Sequence, residues 1–392
     1  MTDFDAIVVG ARCGGAPLAM HLARRGHRVL LVDKATFPSD TVSTLLVQPA
    51  GVEALDRWGL LDEVLASGCP TIERFTFDFG PVVLSGRPHA AGGAGAGAGL
   101  ACAPRRTVLD AILVEAAARA GAEVRTGFTV EEVLLDGDRV TGIRGHGAGG
   151  ASVTETARVV VGADGWNSSV ARAVGAEKHH ELPVLENAFY TFWPDLPLDG
   201  MQTFIRGDRG IACIPTNDGN TLVLVGCPFA QAAEFRRDVD LHYREGLARV
   251  PALAERLAGQ TPTERIVGGG VPNFFRTPHG PGWALVGDAA YVKDPITGQG
   301  ISDALCGAEA LAGALEATWA GDGTALPRLH AARDERALPL YGFTTQLARL
   351  EPPPLEFQQL LGSIAGDQAA MDVFVSVNCG TLPPSALQPA AA

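Results

Sequence analysis

Two glycine-rich signatures lie far apart in this chain, and each has the residue types that hold phosphates and hydroxyls. The first is Gly10-Ala11-Arg12-Cys13-Gly14-Gly15. It falls where an apolar run, residues 5–10, gives way to a helical pattern, residues 16–25. In that setting Gly10 permits a tight turn and Gly15 permits close helix–sheet packing. The helix start then faces a pyrophosphate with unpaired N–H groups and a favourable dipole. Asp33 ends the next apolar run about 20 residues on, where a carboxylate meets the hydroxyls of an adenosine ribose. Lys34 follows it and joins the same candidate set, as does Gly14.

The second signature is Trp283-Ala284-Leu285-Val286-Gly287-Asp288-Ala289-Ala290, again an apolar strand opening onto small residues. Just downstream, Gly298-Gln299-Gly300 expose backbone N–H groups at a helix start, a place that stabilises an anion. A nicotinamide enzyme of the Rossmann type needs only the first signature. A chain that wraps one cofactor from both ends points to FAD, whose long body needs contacts from distant segments. Arg12 stands where a second glycine normally lets the backbone approach the phosphates. Two readings are open: a fixed cation over the pyrophosphate or flavin edge, or a solvent-facing side chain that is accommodated.

A third motif, Val161-Gly162-Ala163-Asp164-Gly165-Trp166, lies between them. With all three in this order, the chain resembles the FAD-dependent monooxygenases of the aromatic-hydroxylase type. It resembles more closely a group of FAD oxidoreductases near the geranylgeranyl reductases. The resemblance covers most of residues 5–320 and implies a role at each matching position. Asp288 would bind ribityl hydroxyls. Asp164 would shape the FAD pocket and the path of NAD(P)H. Arg106, at a helix start, would pack along the cofactor. Pro295 and the loop 296–300 would lie beside the flavin ring, with Pro295, Gly298 and Gly300 as the catalytic positions and Gln299 as a cofactor contact. Aromatic hydroxylases usually carry a second Pro and a His here; this chain has Tyr291, Lys293 and Asp294. Lys293 and Asp294 read either as a salt bridge that sets the loop, as substrate contacts, or as a surface pair. The W-x-W-x-I-P motif of flavin halogenases is absent, so halogenation is not expected.

The elements that must position these residues follow from the hydrophobic pattern. Continuous apolar runs at 5–10, 28–33, 159–162 and 283–286 read as strands of a parallel sheet buried on both faces. Helical patterns cover 51–65, 107–120, 231–249 and 299–319, and the chain from 327 is helical until Pro352-Pro353-Pro354 interrupts it. Residues 72–86 suit a β-hairpin, and 181–275 form a β-rich block. Its aromatics, Phe189, Tyr190, Phe192, Trp193, Phe204, Phe229, Phe274 and Phe275, are mostly core by their spacing, with a minority left for a substrate pocket. The run 91–99, alternating Gly and Ala, reads as a floppy linker, and the chain beyond Leu382 as an unstructured tail.

The fold class expected is α/β: a Rossmann-like FAD-binding domain of three ββα layers, with an inserted β-sheet substrate domain and a helical C-terminus. The FAD-binding domain would comprise residues 1–70, 101–178 and 276–325. The β-rich substrate domain would comprise 71–100 and 179–275. Residues 326–392 would form the C-terminal helical segment and tail.

Bulk properties bound the partners. With 392 residues and 46% hydrophobic content the chain can bury a large core. A net charge of −13 argues against nucleic acid or anionic membrane as partner. Seven cysteines without a C-x-x-C pair read as reduced, buried residues of a cytoplasmic enzyme, with no metal site. No uninterrupted apolar stretch is long enough for a membrane span.

The function expected is an FAD-dependent oxidoreductase, specifically a monooxygenase. NAD(P)H would reduce the flavin, and O2 would be inserted into an apolar or aromatic small molecule through a flavin C4a-hydroperoxide. The rivals are a reductase that saturates C=C bonds of an isoprenoid or polyketide, and a non-catalytic flavin-binding redox sensor.

Overall fold

A computed structural model describes residues 3–93 and 95–387. Its centre is a sheet in which strands Trp283–Leu285, Ser152–Gly162, β1 (Phe4–Val9), β2 (Val29–Asp33) and Glu123–Thr126 lie side by side, all parallel. Their alternation explains the unbroken apolar runs. Ala6, Val8, Val29 and Leu31 face one way, into helices α1 (Gly15–Arg24), Arg106–Arg119 and Gly300–Trp319. Ile7, Val9, Leu30 and Val32 face the other way, onto Phe128, Val133, Val140 and Ile143. Val133, Val140 and Ile143 belong to an antiparallel meander, Thr129–Asp136, Arg139–His146 and the first half of Ser152–Gly162, and Phe128 immediately precedes it. Helices, parallel sheet and antiparallel sheet are the three layers the sequence implies.

Beside this unit stands a seven-stranded sheet in the order Val267–Gly269, Glu186–Pro194, Asn220–Pro228, Arg209–Pro215, Met201–Arg206, Phe75–Asp78, Val83–Gly86. One face carries Phe189, Trp193, Val223 and Val225 under the helices Val239–Ala248 and Pro251–Leu257. There the Tyr243 hydroxyl donates to Val223 O and accepts from Trp193 Nε1, which satisfies two polar groups inside an apolar layer. The other face, with Ala188, Tyr190, Phe192 and Leu224, packs toward Leu45, Leu46 and the C-terminal helix Gln368–Asn378. A small sheet, Lys178–Leu182, Asn273–Arg276 and Tyr291–Val292, joins the two bodies. All seven cysteines are free thiols; six are buried and Cys306 is half-buried. No helix of the described residues is long and apolar enough to cross a membrane.

Four expectations change. The helix expected over 51–65 is two helices, α2 (Pro49–Trp58) and Leu61–Ala66, because Gly59 adopts φ 75° and ends the first. The helix expected over 231–249 is also broken. Asp238 caps a new start at Val239 by accepting the Leu241 N–H (3.0 Å). Beyond Leu382, Pro384–Leu387 form a 3-10 turn; the rest of the expected tail, 388–392, lies outside the described residues.

The fourth change concerns the glycine-alanine run. Ala94 lies outside the described residues, but the flanking backbone is docked on α2. Buried Glu53 accepts the N–H groups of Ala91 (2.7 Å) and Gly93 (2.8 Å), and Asp56 accepts that of Gly97 (3.3 Å). A Cβ on Gly93 would stand 2.6 Å from Glu53 Oε2, and one on Gly95 2.5 Å from Asp56 Oδ2. The glycines therefore serve close approach to two carboxylates rather than looseness. Glu53→Ala removes both acceptors at once and should cost on the order of 1–3 kcal/mol. Limited proteolysis should then cut within 91–99 faster than in the wild type; an unchanged cleavage rate would show that the docking does not hold the loop.

Candidate active site

The three motifs converge because the strands that carry them are neighbours. Along the carboxyl ends of the parallel sheet, Gly10 N–H donates to Val32 O (2.8 Å), Ala163 N–H to Val9 O (2.8 Å) and Val286 N–H to Gly162 O (3.0 Å). These bonds tie all three turns into one rim, the usual crevice for a ligand in an open α/β sheet. Contact is too close for side chains. Gly10 has φ +104°, and a Cβ on it would lie 2.4 Å from Ala163 O. A Cβ on Gly15 would lie 1.8 Å from Gly10 O.

The rim opens into a cavity of about 1400 Å³. That exceeds the ~300–1,000 Å³ of an ordinary small-molecule site and leaves room for more than one ligand. Gly10, Arg12, Gly14, Asp33, Lys34, Arg106, Asp164, Gly287, Asp288, Pro295, Gly298, Gln299 and Gly300 all line it. Gly15 does not; it lies behind the wall, as a packing glycine should. Lining residues without a sequence signal come from the segments 41–44, 128–130 and 268–271, from Leu224, from the helix Ala325–Leu347 and from the segment 380–384. Of the eight aromatics named in the β-rich block, Tyr190 alone reaches the cavity. Its hydroxyl accepts the Ser43 N–H (3.1 Å), pinning the loop 41–44.

Asp33 does a local job as well as facing the cavity. Its two oxygens accept the N–H groups of Ala11 (2.7 Å) and Ala35 (2.8 Å), which fixes the glycine turn. Asp164 likewise accepts from Ser168 Oγ (2.5 Å) and from Ser169 N (2.6 Å) and Oγ (2.7 Å), holding its own loop. Asp288 differs: no hydrogen bond within the described residues engages its carboxyl group. It sits at the start of the helix Gly300–Trp319, its Oδ1 4.0 Å from where a Gly300 Cβ would be. Burial pushes its pKa up to about 6, against the pull of Lys293 and Arg106. An acceptor without a donor, at the mouth of a cavity floored by glycine backbone, fits the polyol chain of FAD.

Arg12 is not left to solvent; it lines the cavity as a fixed cation. Its guanidinium donates to Asp110 Oδ2 (2.5 Å), to Ser39 O (3.3 Å) and Oγ (3.0 Å), and to Asp40 O (3.3 Å). Asp110, fully buried, also takes Arg106 through Nε (3.2 Å) and Nη2 (2.9 and 3.0 Å). Burial opposes the charge of Arg106, but Cys13, Asp110 and Asp288 outweigh it and raise its pKa. Asp110 thus holds two cations at the cavity wall. Its only sequence signal is the four-residue spacing from Arg106 on one helix face.

Lys293 and Asp294 are not a surface pair, for both are buried. They do not pair with each other either. Lys293 Nζ donates to Tyr291 Oη (2.6 Å) and to the Asp303 carboxylate, and these partners overcome burial to raise its pKa. Asp294 turns away, accepting the Ile296 N–H (3.1 Å) to cap the turn Pro295–Thr297. Gln299 reaches Asn378 O (2.9 Å) in the C-terminal helix, so its side chain fixes the loop.

Two tests follow from this geometry. Asp110→Ala leaves two guanidinium groups without their buried anion and should lower stability by about 3–5 kcal/mol. The urea midpoint measures this, and a loss below ~1 kcal/mol would mean that the cations find other partners. For Asp288, the ionised form is the better hydroxyl acceptor. FAD affinity should weaken as pH falls through about 6, and Asp288→Asn should remove that dependence. Fluorescence titration of the flavin checks both; parallel pH profiles would deny Asp288 a part in binding.

Comparison with known proteins agrees with this geometry. The FAD binding domain model matches residues 3–342. A digeranylgeranylglycerophospholipid reductase of Methanosphaerula palustris is 30% identical over 311 residues, covering 78% of this chain and 74% of the relative. The 6-methylpretetramide 4-monooxygenase of Streptomyces rimosus is 30% identical over 322 residues, covering 76% of this chain and 53% of the relative. Among solved structures, a myxobacterial chondrochloren halogenase is 26% identical with a TM-score of 0.77, covering 95% of this chain and 92% of its own. The chain belongs to the FAD binding domain family and is an FAD-dependent oxidoreductase.

Proposed function

We propose that the protein is a monooxygenase that takes electrons from NAD(P)H and inserts an atom of O2 into an apolar or aromatic small molecule. The observation that carries this reading is the junction of two unlike walls in one cavity. One wall is the glycine-rich helix start 298–300, with the buried cation Lys293 nearby. The other is the inner face of the seven-stranded sheet, with Ala188, Tyr190 and Leu224. When bound, FAD would supply the redox chemistry, hydride acceptance and electron transfer to oxygen.

The chain's own part is positioning and electrostatics. The N–H groups at the start of Gly300–Trp319 favour negative charge in this corner, and Lys293 offsets the Asp303 carboxylate it pairs with. Gly298, at φ +61°, turns the chain so that the helix begins there, and a Cβ at this position would lie 2.7 Å from Leu46 Cδ2. Ala188 and Leu224 exclude water from the side where an apolar substrate would rest. The likeness to the Streptomyces monooxygenase supports the reading.

A reductase that saturates C=C bonds is the second reading, favoured by the Methanosphaerula relative. Both use the same cradle, so the product decides. Turnover in labelled oxygen gas should give a product carrying the label. Equal turnover without oxygen, with two added hydrogens and no label, would replace the monooxygenase with the reductase. Because a structural neighbour is a halogenase, the same reaction is run with chloride and bromide present, and a halogenated product would overturn both readings.

A further inference from the structure

Glu186 and Asp294 form a buried pair of carboxyl groups that the cofactor contacts leave unused. Glu186 opens the strand Glu186–Pro194, whose Ala188 and Tyr190 reach the cavity. Asp294 immediately precedes Pro295 and caps the turn that leads to Gly298. Glu186 is 2% exposed and Asp294 0%. Each carboxyl stands close enough to the other to shift its pKa, and neither Glu186 Oε2 nor Asp294 Oδ2 has a hydrogen-bond donor among the described residues. Two carboxylates are acceptors only and cannot satisfy each other. As anions they would also repel each other in a buried site.

The backbone N–H groups of Ile296 and Glu186 ease the charge of Asp294, whereas burial and Asp294 both work against a charge on Glu186. Glu186 Oε1 lies across Gly226, where a Cβ would come within 1.8 Å, so the fold makes room for this side chain at the cost of a neighbour's. On the adjacent element Asn273 Oδ1 accepts the Asp294 N–H (2.7 Å) and leaves the carboxyl untouched. The thiol of Cys227, across the strand pair, is neutral, its pKa pushed up by burial to about 11. Arg236 is engaged by Asn187 Oδ1 (2.8 Å). No cation offsets either charge. One proton held between the carboxyls answers every one of these problems, because it turns one acceptor into a donor.

We infer that Glu186 and Asp294 share one proton and together latch the loop 294–300 to the substrate sheet. They are positioning residues, for neither lines the cavity. The inference rests on the reading of 294–300 as the flavin loop for its functional meaning, but the latch itself is a property of the chain.

The sign of its pH dependence is set by burial, which raises both carboxyls, Asp294 to about 7. The folded state then holds more protons than the unfolded one between the ordinary carboxylate range and that value. The latch's contribution is complete at low pH and is lost as pH rises through about 7.

Thermal unfolding of the purified protein, FAD-loaded and stripped, tests this between about pH 5 and pH 8. Glutamine donates the same hydrogen bond at every pH. Glu186→Gln and Asp294→Asn should therefore keep the low-pH Tm of the wild type and show a flatter decline as pH rises. Glu186→Ala should unfold at lower temperature throughout and bind FAD on the order of ten-fold more weakly. Equal pH slopes in wild type and Glu186→Gln, or a Glu186→Gln that behaves as Glu186→Ala, overturns the latch. If Glu186→Ala does not fold, the wild type and the two amide variants decide alone. If the slopes behave as expected but FAD affinity is the same in Glu186→Ala and wild type, the latch stands and its coupling to the flavin loop falls.

Discussion

The site depends on how closely three backbone turns approach one another at the end of the parallel sheet. Gly10, Ala163 and Val286 each donate to a carbonyl at the end of the neighbouring strand, and no Cβ fits at Gly10 or Gly15. Strand order makes this possible: β1 lies between β2 and Ser152–Gly162, and Trp283–Leu285 lies on the far side of the latter. Residues from three distant parts of the chain then share one rim. The helices on one face and the meander on the other keep those strand ends from shifting, since every core-facing side chain of β1 is packed on both sides.

The rim and its parallel sheet were legible because their physics is local. A buried parallel strand must be apolar throughout, a tight turn needs glycine, and a helix that begins at once shows its period. Those three signals coincide at residues 5–25 and recur at 283–288 and 298–319. The same logic failed where one residue interrupts a pattern. Gly59 and Asp238 each break a continuous apolar period, and periodicity alone does not register a left-handed cap or a side-chain cap.

What stayed hidden is the network behind the rim. Asp110, Glu186 and Asn378 carry no motif, and each acts on a residue far away in sequence or on another layer. Arg12 shows why: its own position suggested a cofactor contact, but the anion that fixes it sits on a helix roughly a hundred residues later. The glycine-alanine run is the clearest reversal. Composition alone favours flexibility, yet two acidic side chains on α2 use the missing Cβ atoms to dock it.

The loop 294–300 is held from almost every part of the chain. Gln48 Nε2 donates to Thr297 O, Thr344 meets the Thr297 hydroxyl, Asn273 and Glu186 hold Asp294, and Asn378 holds Gln299. The glycine turn is local, but the loop beside it takes its shape from anchors that span Gln48 to Asn378. The loop is therefore a joint product of remote segments, and a change at Gln48 or Asn378 reaches it as directly as a change in its own residues.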